Sequence, residues 1–454
     1  MYTPIAVAER RQRTLETIGD ASIVRALSAT PARDTASRGA VVLAAALPFV
    51  LLHRHYQPTL SVRAVDVMLS DVAILVVVAT AVVVGARDRF AALRAGLPLW
   101  IAAAAFLCWI GVATVYGSSA DPSYETGRHL VTAAKFAEYA LLAPAAAVLV
   151  RTRSEAILVL TVLVAWCTAA ALLGVLQYVD LVPAFDNTPA WQRRPSFLGY
   201  HDLGVLGGAV VAVGLAAIVR SRGGLGAAAS AAGGLAVVVG ASVAALLGIV
   251  AAAALVVAAT RTRVLTVAAV VAVVAAGVVL VRAGDLDQFA RYIGVRPRER
   301  TTTEDVQTYA QRSLLAYIGL QIWLDHPVLG RGWQASREHA TYAPYLADAH
   351  REFPDQPALA FPSRRHPWGV QNAYIQALSD LGAIGLVLLA GVFGAGLWVG
   401  VRAAWRRSFL GLAGVGIVLV AMGVWTAVGL VAGIPLDAMT WLGLGLSVAA
   451  ANGA

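Results

Sequence analysis

The sequence predicts an all-α polytopic membrane protein of about twelve transmembrane helices, with a large extracytoplasmic loop between spans nine and ten. Three observations predict it. Of 454 residues, 59% are hydrophobic and only 13% are charged, and the mean hydropathy is +0.72. Nearly uncharged runs of about 18 residues or more recur along the chain, each able to cross ~30 Å of hydrocarbon as a helix. Arginine clusters fall on alternate turns between those runs. A transmembrane β-barrel would instead show short segments of alternating polarity.

Residues 1–38 are polar and of mixed charge, and are expected to be a cytoplasmic segment without a signal-peptide pattern. Within them, Glu9 to Ile23 reads equally as a short surface helix or as disorder. The block 39–282 holds spans at 39–53, 66–85, 97–115, 131–150, 155–178, 201–219, 226–241, 243–260 and 265–282. Residues 226–260 read either as two short spans meeting near Gly240, or as one span plus a surface helix. The block 371–454 holds the last three spans, at 371–402, 409–432 and 437–452. Frequent Gly and Ala within 205–255 predict close helix packing.

With the N-terminus in the cytoplasm, RDRFAALR (87–94), RTR (151–153), RSR (220–222), TRTR (260–263) and RAAWRR (402–407) all fall on the cytoplasmic side. That distribution obeys the positive-inside rule. A single span over 226–260 would put the last two clusters outside, so the rule favours the even count. The loop 283–370 then lies outside the cytoplasm. Its 88 residues carry ten arginines and ten acidic residues, which predicts a solvated but structured region with a function. A capping-box pattern at Thr301–Glu304 opens an amphipathic helix expected over Glu304–Leu324, with Leu315, Ile318 and Ile322 as its apolar stripe. Residues 328–333 form a tight glycine turn and lack a phosphate-loop pattern. Tyr342–Ala360, polar and interrupted by proline, reads as a flexible cap over a site.

The stretch Phe361–Leu386 joins this loop to span ten and concentrates Arg364, Arg365, His366, Gln371, Asn372, Tyr374 and Asp380 at the mouth of an apolar bundle. Unpaired polar groups are costly there. Gly382 and Gly385, three apart, are read as a face for close helix approach. On the same side of the membrane lie Asp180, Asp186, Arg193, Arg194, His201 and Asp202, and the loop helix carries Arg312. As a set, Arg193, Arg194, Arg312, Arg364 and Arg365 suit an anionic diphosphate at the bilayer surface, because guanidinium forks match phosphate oxygens and stay charged. The bland alternative for each is lipid-headgroup contact or ion pairing with Asp186, Asp202 or Asp380. In span four, Lys135 and Glu138 read as a charge pair, either a structural lock or part of an ion route.

The net charge of +9 is accounted for by turns facing anionic headgroups, so no nucleic-acid partner is expected. Cys108 and Cys167 both lie in apolar spans, so neither a disulfide nor a metal site is implied. No cofactor motif is present.

Residues Arg312 through Gly385 resemble the O-antigen ligase and O-antigen polymerase superfamily of bacterial envelope glycosyltransferases. The resemblance rests on an arginine-bearing helix, His326-Pro327-x-x-Gly330-x-Gly332, Asn372-x-Tyr374 and Gly382-x-x-Gly385. It implies metal-independent, inverting transfer of a glycan from a polyprenyl-diphosphate donor to a lipid, glycan or protein acceptor, at the extracytoplasmic face of the inner membrane. By that likeness Arg312 is the loop-helix arginine, and Arg193 or Arg194 is the arginine after span five. Asn372 belongs to the family's His-Asn pair. Two departures stand out. Gln371 occupies the histidine position, which makes His366 the candidate replacement. The family's Ser-Arg pair corresponds to 237–249, where this chain has no arginine. The catalytic candidates are therefore His366, Gln371 and Asn372. The diphosphate candidates are Arg312, Arg193, Arg194, Arg364 and Arg365, supported by Tyr374, Asp380, His201, Lys135 and Glu138. The competing reading is a transporter or flippase of a lipid-linked glycan, although no repeat between halves is evident. A non-catalytic scaffold is a third.

Overall fold

The structure is a computed structural model that describes residues 37–62, 65–184, 194–292, 294–295, 308–431 and 434–454. The N-terminal segment up to residue 36, Asp186, Arg193 and the Thr301–Glu304 capping box lie outside the described residues. Every described helix and strand belongs to the compact unit Arg38–Ala454.

The described chain is helical apart from one hairpin. The first six helices are α1 (Arg38–Val50), α2 (Leu69–Ala86), α3 (Leu97–Ala120), α4 (Thr126–Ala140), α5 (Leu142–Leu149) and α6 (Arg153–Tyr178). Then come α7 (Tyr200–Val219), α8 (Gly223–Val239), α9 (Val243–Thr260), α10 (Val264–Val281) and α11 (Ala283–Tyr292). The loop region continues with α12 (Thr308–Asp325), α13 (His339–Tyr342) and α14 (Leu346–Glu352). The chain closes with α15 (Ala373–Trp405), α16 (Phe409–Val424) and α17 (Ile434–Ala451). Among the described residues, eight segments are long and apolar enough to cross a membrane, and α1, α8 and α16 are shorter apolar helices. Residues 226–260 resolve into two helices, broken at Gly240–Ser242 where Ala241 takes a left-handed φ of 47°.

The hairpin corrects the expected start of the second span. Thr59–Val62 pairs antiparallel with Val65–Met68, Thr59 opposite Met68. The alternation in VDVM suits a strand. The helix begins only at Leu69, where Asp71 accepts a hydrogen bond from the Met68 amide at 2.7 Å.

Two kinds of surface follow from the apolar sequence. On α10, Leu265, Val273 and Leu280 are 86%, 72% and 77% exposed, which fits a lipid-facing wall and not a water-facing one. By contrast α7 is almost wholly buried. Its contact with α8 is close because Gly207 faces Gly233 and Gly214 faces Ser230. A Cβ on Gly207 would sit 2.8 Å from the Gly233 carbonyl oxygen, and one on Gly214 would sit 2.8 Å from the Ser230 amide nitrogen. Small residues that let backbones meet are the main source of helix association in lipid.

The loop region has a core of its own. Leu314, Leu315, Ile318 and Ile322 of α12 pack with Tyr342, Ala349, Ala360 and Phe361. The expected apolar stripe is therefore buried by the segment read as a flexible cap, which here carries short helices.

Candidate functional site

The head of α15 is built by the loop motif. Asn372 caps the helix, its Oδ1 accepting from the Tyr374 and Ile375 amides at 3.1 Å each, while its Nδ2 donates to the Thr426 carbonyl at 3.1 Å. The Tyr374 hydroxyl donates to the Met422 carbonyl at 2.8 Å, tying the same turn to α16. Eight residues into α15 the helix breaks at Asp380–Gly382, where Gly382 has a φ of 69°. The break strands backbone groups, and residues 327–332 take them up. The Arg331 amide donates to the Ser379 carbonyl and the Gly332 amide to the Asp380 carbonyl, both at 2.9 Å, and the Ala383 amide donates to the Pro327 carbonyl at 2.9 Å. Gly330 itself is left-handed, φ 71°, and lies against the Asp380 backbone. Glycine is required at both places by conformation and by contact. Gly382 therefore serves a kink, which corrects its reading as one of a pair on a smooth helical face.

Asp380 is wholly buried, yet both of its oxygens are used. Oδ1 accepts from the Ser336 amide at 2.8 Å and Oδ2 from the Gln376 side chain at 2.9 Å. Its carboxylate ties the turn at Ser336 to the helix just before the kink.

Beside this head lies a cavity of about 350 Å³, lined by Tyr200, His201, Ser242, Arg282, Tyr309 and Arg312 among others. The first residues of α7 and of α9 both line it, and Ser242 caps α9 by accepting from the Ala245 amide at 3.2 Å. Two helix N-termini thus bring partial positive charge to one space. Arg312 Nε donates to Gln371 Oε1 at 3.3 Å, and its Nη2 approaches His201 Nε2 at 3.5 Å. A guanidinium only donates, so in this contact the imidazole nitrogen is the acceptor. Arg282 Nη1 donates to the Ala241 carbonyl at 3.4 Å, and its guanidinium lies 5.6 Å from the Tyr309 ring centre. Arg282 therefore brings a guanidinium beside Ser242, in the segment that itself has no arginine. Two cations, two helix N-termini and an imidazole thus surround one concavity, a set of groups with the chemistry to receive an anion and to accept a proton.

The other candidates lie elsewhere. Arg194 is 1% exposed and serves the end of α6: its Nε donates to the Gln177 carbonyl at 2.9 Å and its Nη2 reaches Asp180 at 3.4 Å. Arg364 and Arg365 are exposed, and His366 stacks on Trp368 at 5.9 Å; none of the three lines the cavity. Lys135 pairs with Asp71 of α2, with Glu138 farther off at 3.9 Å, so its main partner differs from the expected i,i+3 neighbour. Neither helix of that pair contributes to the cavity.

Residues 207–390 match the family described as O-antigen ligase, a reach that includes Arg282, Arg312 and Gln371. No curated protein matches the chain.

Proposed function

We propose, on the match of residues 207–390 to the O-antigen ligase family, that the chain transfers a glycan from a polyprenyl-diphosphate carrier to an acceptor hydroxyl at the extracytoplasmic face of the inner membrane. The observation that carries this reading is the convergence of Arg312, Arg282 and the N-termini of α7 and α9 on one cavity. The proposed topology has twelve crossings, namely the eight long segments, the shorter helices α1, α8 and α16, and α17, with the cytoplasmic arginine turns at the far end of α7.

In the proposed reaction the acceptor oxygen attacks the anomeric carbon from the face opposite the diphosphate. The new carbon–oxygen bond forms as the carbon–oxygen bond to phosphate breaks, which inverts the configuration. The bonding pair leaves on the diphosphate, and the two guanidiniums stabilise the charge as it develops. Arrays of this kind contribute ~10²–10³ in rate per donor removed. When Arg312 turns to the phosphate, His201 Nε2 is released to take the acceptor proton. Gln371 cannot take that proton, but it holds Arg312 in place.

The test is reconstitution in liposomes with a defined polyprenyl-diphosphate glycan and a set of acceptors. The expected result is a glycosylated acceptor from the wild type, formed ~10³-fold more slowly by Arg312→Ala. Product length separates one ligation from polymerisation. A wild-type rate from Arg312→Ala would sink the clamp. Movement of intact donor across the bilayer without cleavage would favour the flippase reading.

A further inference from the structure

A second, larger cavity of about 690 Å³ opens at the other end of α7. Five arginines line it: Arg153 at the start of α6, Arg220 just after α7, Arg402 in the last turn of α15, and Arg406 and Arg407 in the turn to α16. No Asp or Glu side chain lines it, and none of the five forms an ion pair among the described residues. Arg220 Nη2 donates to the Ala404 carbonyl at 3.3 Å, whereas its buried Nε has no partner among the described residues. Burial and the neighbouring Arg407 both push the Arg220 pKa down, as expected of a cation crowded by a like charge. Arg407 holds a left-handed φ of 67°, uncommon for a residue with a side chain. Apart from Ser408 and the Gly453–Ala454 backbone the remaining wall is apolar, and it includes Trp398, on whose ring Arg402 stacks at 5.5 Å.

Arginines gathered only to fix topology can spread into water, each with its own counterions. These five instead converge on one hollow, half of whose wall is apolar. That combination fits an anion carried on an amphiphile. The position agrees, since α7 is 20 residues long and this end lies about 30 Å from the first cavity, at the opposite boundary of the bilayer. Basic pockets between helices at such a boundary hold phosphate headgroups.

We propose that this cavity binds the phosphate of an anionic phospholipid headgroup, bridging α6, α7 and α15 at the membrane surface. The site is independent of the glycan-transfer reading, because it shares no lining residue with the first cavity.

The experiment uses the full chain in nanodiscs of mixed phosphatidylglycerol and phosphatidylcholine, then counts retained lipid by native mass spectrometry. Wild type is expected to retain phosphatidylglycerol. The triple variant Arg402→Gln/Arg406→Gln/Arg407→Gln is expected to bind it ~100-fold more weakly, at ~5-fold per arginine. The single variant Arg406→Gln, exposed and at a helix end, should show the ~5-fold step even if the triple variant misfolds. Arg261→Gln/Arg263→Gln, in the α9–α10 turn at the same end of the bundle, should retain lipid as wild type does. Equal losses in the two sets, or no loss in Arg406→Gln, would overturn the proposal. Displacement by millimolar inorganic phosphate with no lipid retained would also overturn it, by assigning the anion to free phosphate.

Discussion

At one end of α7, Arg282 and Arg312 are held by a carbonyl, an aromatic ring, a glutamine and a histidine. At the other, five arginines converge, and among the described residues their side chains meet only a carbonyl and a tryptophan. The contrast separates orientation from accumulation. A site that stabilises charge in a transition state needs few donors, fixed in advance. A site that holds a headgroup needs charge density and tolerates mobile side chains. The smaller cavity has the first character and the larger one the second.

The largest expected effect breaks the comparison at the oriented end. Arg312→Ala should lower the transfer rate ~10³-fold, and Arg282→Ala ~10²-fold, in the liposome assay. The double variant should fall short of the product of the two losses, because both guanidiniums would hold one leaving group. Lipid retention at the far cavity should stay at the wild-type level in all three. A rate loss for Arg282→Ala below about 3-fold would reduce the clamp to Arg312 alone.

Next in size is the kink, which divides α15 between the two cavities. Gly382→Ala would place a Cβ against the Val328 carbonyl, 2.6 Å from the Gly330 amide nitrogen, at a positive φ. The expected cost is ~3 kcal/mol or more, read as a lower melting temperature. Because the short segment before the break carries the cap residue Asn372, next to Gln371, transfer should suffer more than lipid retention. Unchanged melting would mean that α15 straightens without loss.

His201→Gln sits lower on the scale. A diphosphate is a good leaving group, and proton removal can lag behind its departure. The expected loss is ~10-fold in the turnover rate, with the KM for donor within ~3-fold. Gln371→Glu would introduce a carboxylate beside Arg312 and should weaken donor binding instead, which separates positioning from proton transfer. An unchanged rate in His201→Gln across the pH range would remove the imidazole from the mechanism.

Hydropathy and arginine spacing made the helices legible, since an apolar run long enough to cross lipid has few other folds. The hairpin at 59–68 was less legible because two four-residue strands beside a long apolar run look like its extension. Arg312 and Gln371 stood out as candidates from the loop helix and the family spacing, and the fold sets them in contact. Arg282 was not, because an arginine ending an apolar run of 18 residues reads as a snorkelling anchor. Only the fold brings it beside Ser242, forty residues earlier in the chain. Arg194 shows the converse: its charge and its place after span five make it a clamp candidate, while its hydrogen bonds to Gln177 and Asp180 at the end of α6 depend on the turn that leads into α7. The glycine motif was legible as a pattern, but its purpose, repairing a helix break about 50 residues away, is a tertiary fact.

The smallest expected effect tests the loop that supports the kink. Burial, followed by Arg331, lowers the His326 pKa, and Asp325 opposes them. The unfolded chain therefore takes up the proton nearer pH 6.5, while the folded chain does so only below that value. In the interval the unfolded state holds more protons, so stability falls as pH drops from about 6.5 and levels off below the folded value. The site is partly open to solvent, so the change should stay under ~1 kcal/mol. Because His326 opens the 326–332 segment, whose amides meet the Ser379 and Asp380 carbonyls, the loss should appear as earlier exchange of the Arg331 and Gly332 amides. Those of Arg406 and Arg407 at the other cavity should not change. His326→Gln should make the exchange of Arg331 and Gly332 independent of pH between 5 and 7 once the intrinsic rate is removed, and a persisting pH dependence there would assign the titration to another group.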